Sequence, residues 1–96
     1  MDEFVDESKK SSLYFSEFEK SILKNSVLDI GAGKDPVVAH ADVFDWAQGD
    51  ANYVTRYITR SYDCVYSSHC LEHMQNPQAA LKEWWQLVKP NGSLFF

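Results

Sequence analysis

At 96 residues with a net charge of −5, the chain amounts to one small domain, and its acidity argues against a nucleic-acid phosphate backbone as partner. Hydrophobic residues make up 45% and charged residues 24%, as in a soluble globular protein. Neither the acidic opening Met-Asp-Glu-Phe-Val-Asp-Glu nor any later stretch is apolar over signal-peptide or membrane-spanning length, so a cytoplasmic protein without a membrane span is expected.

Residues 1–10 are charged, and Ser11 or Ser12 can cap a helix over about 11–24. Leu13, Tyr14, Phe15, Phe18, Ile22 and Leu23 form its apolar stripe, which reads as a packing face. Asn25-Ser26 ends it. Val27-Leu28-Asp29-Ile30 then reads as a short buried strand running into Gly31-Ala32-Gly33, the pattern of a parallel strand whose carboxyl end approaches a ligand. Asp29 can hold the glycine loop through backbone N–H groups or accept from a cationic ligand. A dinucleotide fingerprint would place a third glycine nearby, where this chain has Asp35-Pro36. The connection to the next strand is short, so a single helical turn around residues 37–39 is expected.

Residues 41–45 are the second strand candidate. Asp45 lies sixteen residues after Asp29, close to the ~20 expected of an acid that binds ribose hydroxyls. Asp42 falls inside the strand and is the poorer choice. Residues 48–52 are turn-like, and 53–58 fit either a strand or a helical turn. Residues 62–66 form the third clear strand, and Ser67-Ser68-His69-Cys70 leads from its carboxyl end. Asn76 as cap and Pro77 in the first turn start a helix with Ala80, Leu81, Trp84, Leu87 and Val88 on one face. Lys89-Pro90-Asn91-Gly92 turns the chain into a last strand, residues 93–96. Cys64 and Cys70 read as small buried residues of a reducing compartment.

Residues 27–33, Asp45, Gly49-Asp50-Ala51 and 62–92 together resemble a class I S-adenosylmethionine-dependent methyltransferase. The likeness is to the small-molecule group with a Ser-Ser-His-x-Leu-Glu-His segment, matched here by residues 67–73. The resemblance implies an α/β, Rossmann-like three-layer sandwich with a mostly parallel sheet. It implies S-adenosyl-L-methionine as cofactor and a small-molecule methyl acceptor, of the sugar or cell-envelope-intermediate kind. Carried over by position, Asp29, Gly31, Ala32 and Gly33 line the methionine end of the cofactor. Asp45 accepts from the ribose, and Asp50 and Ala51 border the adenine. Ser68 and His69 lie at the mouth of the site, with His69 the candidate general base.

The family fold has seven strands and this chain stops in the fifth, so it is expected to be a single partial domain, 1–96. A catalytically inactive remnant serving as an interaction or assembly module is the rival reading. The uncovered edge at 93–96 further predicts pairing with a second copy as a homodimer. His69-Cys70-Leu71-Glu72-His73 also fits an inverted zinc-peptidase pattern, but that chemistry needs the pattern on a helix and a further ligand, so no metal is expected. Trp84, Trp85, Tyr53, Tyr57 and Tyr62 read as packing residues and His40 as exposed.

Overall fold

The computed structural model describes residues 16–68 and 70–96. Four strands form one all-parallel sheet: β1 (Val27–Ile30), β2 (Asp42–Phe44), β3 (Tyr62–Ser67) and β4 (Val88–Phe95), in spatial order β2-β1-β3-β4. The sheet reverses direction of growth at β1: the chain moves outward to β2, then crosses to β3 on the other side. The expected α/β, Rossmann-like architecture is therefore present. Among the described residues two α-helices, α1 (Glu17–Ile22) and α2 (Pro77–Trp85), accompany the sheet.

The two central strands explain the layering. All four β1 residues are buried, because a parallel strand covered on both faces has no solvent side. Alternate residues then serve opposite faces. Leu28, Ile30 and Val65 join Phe44, Ala80 and Trp84 in one core, beneath α2. Val27, Cys64 and Tyr66 join Leu23 and Val37 in the other, on the α1 side. Burial pushes the Cys64 thiol up to about 11, so it packs as a small neutral group.

Helix α1 departs from its expectation. It ends at Ile22, and residues 11–15, with the Ser11 or Ser12 cap, lie outside the described residues. Leu23 is buried just after the helix, whereas Phe18, expected on the packing stripe, is 72% exposed beside a groove shared with Ile22 and the end of β4.

The β1–β2 connection contains no helical turn at 37–39. A one-turn helix has a costly nucleus, and here the Asp29 carboxylate captures the Val37 amide at 2.7 Å, while Ala41 N–H closes a turn on Val38 O at 3.1 Å. Residues 53–58 form no strand either: Ala51–Arg56 is a 3-10 helix kinked at Tyr53. Asp42, at the head of β2, binds the Tyr62 hydroxyl at 2.6 Å and Arg60 at 3.2 Å. Burial and that carboxylate push the Tyr62 phenol up to about 12.

The turn expected at 89–92 lies inside β4. Tyr62 pairs with Val88 and Cys64 with Ser93, so four β4 residues bulge opposite the single residue Asp63. Asn91 takes φ 65°, a conformation asparagine tolerates. A Cβ on Gly92 would meet Asp63 O at 2.7 Å and Lys89 O at 2.8 Å, backbone atoms that cannot yield. Asp63 also accepts from Ser26 Oγ at 2.7 Å and faces Lys89 at 3.7 Å, which ties the bulge to the start of β1. Those Ser26 bonds, with Lys89 adding less, hold the Asp63 carboxyl below the usual value.

Candidate functional site

At the carboxyl ends of β1 and β2 the chain leaves a cavity of about 250 Å³. Its position beside the point where the sheet reverses its growth is where open α/β sheets bind ligands. Three stretches enclose it: the β1 and β2 ends at Gly31 and Phe44, the 45–52 turn, and the segment Cys70, His73 and Met74.

Gly31 makes the first of these possible. Its φ of 76° is a left-handed conformation that glycine adopts without strain. Its N–H donates to Phe44 O at 2.7 Å, extending the β1–β2 ladder into the turn. A Cβ here would stand 2.9 Å from Cys70 Cβ and 3.0 Å from its Sγ, so the bare backbone is what lets the Cys70 segment close over the cavity. Burial raises the Cys70 thiol, leaving it neutral and a poor nucleophile.

Asp45 follows β2 and organises the turn. Its Oδ2 accepts from Gly33 N at 2.8 Å and its Oδ1 from Trp46 N at 2.9 Å. Each oxygen keeps a second lone pair for a ligand. Asp50 caps the 3-10 helix: its Oδ1 accepts from Asn52 N and Asn52 Nδ2, both at 2.9 Å. These bonds, backbone first, hold its carboxyl below the usual value, so it is ionised at neutral pH. Its Oδ2 has no protein donor among the described residues.

The wall carrying Asp50 is fastened from behind by α2. Trp84, fully buried, donates from Nε1 to Ala51 O at 2.9 Å. Glu83 Oε1 accepts from Thr55 N at 3.1 Å and from Thr55 Oγ1 at 2.7 Å. The helix start follows its sequence signals: Asn76 Oδ1 accepts from Ala79 N at 3.1 Å, with Pro77 in the first turn.

Of the residues singled out in the sequence, Gly31, Asp45, Asp50 and Ala51 are brought together around the cavity. Gly33 is exposed and reaches the site through its bond to Asp45. Ala32 and Asp29 are buried and do not line it; Asp29 anchors the β1–β2 connection through Val37 instead. Ser68 is half-buried outside the lining, and His69 lies outside the described residues.

Sequence reasoning passed over Trp46, Asn52, Cys70, His73 and Met74, all of which line the cavity. Trp46 is 84% exposed at the rim, and the signal the sequence offers is a tryptophan directly after Asp45. The 70–74 residues reach the site only because Leu71–His73 is a 3-10 turn that folds back, for which the sequence carries no pattern. That turn leaves Glu72 and His73 exposed, and no metal-ligating cluster of three or more groups occurs among the described residues. Nor does any helix among them have the length and apolarity to cross a membrane. His40 is exposed, as expected, with its Nε2 2.8 Å from Asn25 O.

The family model described as methyltransferase domain matches residues 28–96. No curated protein and no solved structure matches the chain. The match runs from β1 through the end of β4 and takes in every segment that encloses the cavity, so the chain belongs to the methyltransferase domain family.

Proposed function

We propose that the cavity holds S-adenosyl-L-methionine and that the protein transfers its methyl group to a small molecule. The observation that carries this reading is the pairing of two turn carboxylates, Asp45 and Asp50, with the bare Gly31 backbone around one cavity at the strand ends. The acceptor chemistry fits the cofactor. Asp45 offers lone pairs to ribose hydroxyls, and Asp50 Oδ2 offers an acceptor to the adenine amine. Ala51 gives an apolar border, and Gly31 and Gly33 let backbone approach the amino-acid end without a side chain between. Asp29 and Ala32 are buried beside that loop, and Asp29 holds the connection that follows it through its bond to Val37.

The cofactor, when bound, supplies an electrophilic methyl group on a sulfonium. The chain's own contribution is then to position the two reactants and exclude water, the terms that dominate an in-line transfer. Next after Ser68 in the sequence comes His69, to which, on the family resemblance of its motif, we assign the role of the base that takes the acceptor's proton. The net charge of −5 favours a neutral or cationic small acceptor over a nucleic acid.

Titration calorimetry with S-adenosylhomocysteine tests the reading. The parent protein binds, and Asp45→Ala binds roughly ten-fold or more weakly, since it loses charge-assisted hydrogen bonds. Equal affinity in Asp45→Ala, with its fold intact by circular dichroism, would remove Asp45 from the ribose role.

A further inference from the structure

The structure assigns Asn52 as the positioning residue of this cavity: one end of its side chain fixes the Asp50 carboxylate, and the other fastens the opposite wall. The inference rests on the cofactor reading above. Asn52 Nδ2 donates to Asp50 Oδ1 at 2.9 Å, beside the bond from its own backbone N–H. Its Oδ1 accepts from Gln75 N at 3.0 Å, a residue 23 positions further along the chain. Asp50 belongs to the turn on one side of the cavity, and Gln75 follows directly on the Cys70–Met74 segment on the other. The Asn52 amide therefore closes a bridge between two walls that meet through no strand pairing.

Only a side chain with a donor and an acceptor on the same short arm can make this bridge. With both Asn52 donors on Oδ1, Asp50 is held in one rotamer with Oδ2 left for a ligand N–H. A simple helix cap would explain the bond from Asn52 N to Asp50 but not the one that reaches Gln75. The donors also favour the ionised carboxylate, the form that accepts most strongly.

Two variants separate the ends of the bridge. Asn52→Ala removes both; Asn52→Asp keeps an acceptor for Gln75 but puts a like charge beside Asp50. Amide hydrogen exchange of the ligand-free protein should show Gln75 exchanging roughly ten-fold faster in Asn52→Ala and near the parent rate in Asn52→Asp. Affinity for S-adenosylhomocysteine should fall roughly ten-fold in both at neutral pH. In Asn52→Ala the Asp50 carboxyl rises towards its ordinary value. Binding that needs the ionised form is then lost at a higher pH than in the parent as the solution is acidified. A purely structural role would lower the unfolding temperature without moving that pH profile. Should Asn52→Ala fail to fold, Asn52→Asp carries the affinity arm. Unchanged affinity in a folded variant of a parent that binds overturns the positioning role alone. Absence of binding to the parent overturns the cofactor reading and this inference with it.

Discussion

Trp84→Ala is expected to destabilise the domain by about 3–5 kcal/mol, the range for deleting a large buried aromatic side chain. Trp84 is fully buried and belongs to the core formed by Leu28, Ile30, Phe44, Val65 and Ala80. Its loss would leave a void beneath the sheet face that α2 covers. It would also orphan Ala51 O, whose donor is the indole N–H at 2.9 Å. Trp84→Phe keeps most of the packing but loses that bond and the volume of the second ring, at about 1–3 kcal/mol in all. Because Ala51 borders the cavity, Trp84→Phe should weaken ligand binding more than its stability loss alone implies. Urea denaturation read by circular dichroism measures the two stability losses, and titration calorimetry with S-adenosylhomocysteine the loss of binding. A cost below about 1 kcal/mol for Trp84→Ala would contradict the burial described for α2.

Gly31→Ala should have the second largest effect, about 2–5 kcal/mol, from two separable causes. The first is the left-handed backbone, φ 76°, which costs an L residue roughly 1–2 kcal/mol. The second is the contact of the new Cβ with Cys70, at 2.9 Å to Cβ and 3.0 Å to Sγ, an overpacking term of roughly 1–3 kcal/mol. Cys70→Gly removes both atoms that the new methyl would meet. The double variant should therefore recover the packing part and keep the backbone part, a coupling that a double-mutant cycle reads directly. Strict additivity of the two substitutions would mean that Cys70 does not close over Gly31.

The sequence was most readable where one local physical cause acts alone. β1 is legible because a strand buried on both faces is apolar throughout, save for Asp29, which is spent on the Val37 amide. The start of α2 is legible because Asn76 and Pro77 satisfy the first turn by local chemistry. β2 and β3 also appear close to their expected positions. The misses come from contacts between residues far apart in the chain. Sequence leaves Asp29 two partners, backbone N–H groups or a ligand, because periodicity cannot say which group will need a buried carboxylate; the structure puts its Oδ2 on the Val37 amide. The 89–92 turn was read as lying before the last strand because pairing of Val88 with Tyr62, and again of Ser93 with Cys64, follows from the sheet. Phe18 fits a helical stripe by spacing, yet α1 buries Leu23 at its end and leaves Phe18 in solvent. The bonds that shape the cavity wall, Trp84 to Ala51, Glu83 to Thr55 and Gln75 to Asn52, span 33, 28 and 23 residues, and no local pattern announces them.

The proposed cofactor site at the strand ends can be tested by amide chemical-shift mapping with S-adenosylhomocysteine. Uniformly nitrogen-15-labelled protein would be titrated to saturation and the shifted amides assigned. The expected set is Gly31 and Gly33, the turn from Asp45 to Asn52, and Cys70 to Met74, the segments that enclose or directly support the cavity. Largest shifts at Phe18, Ile22 and the end of β4, which border the other groove, would place the ligand elsewhere, and an unchanged spectrum at millimolar ligand would contradict the account outright.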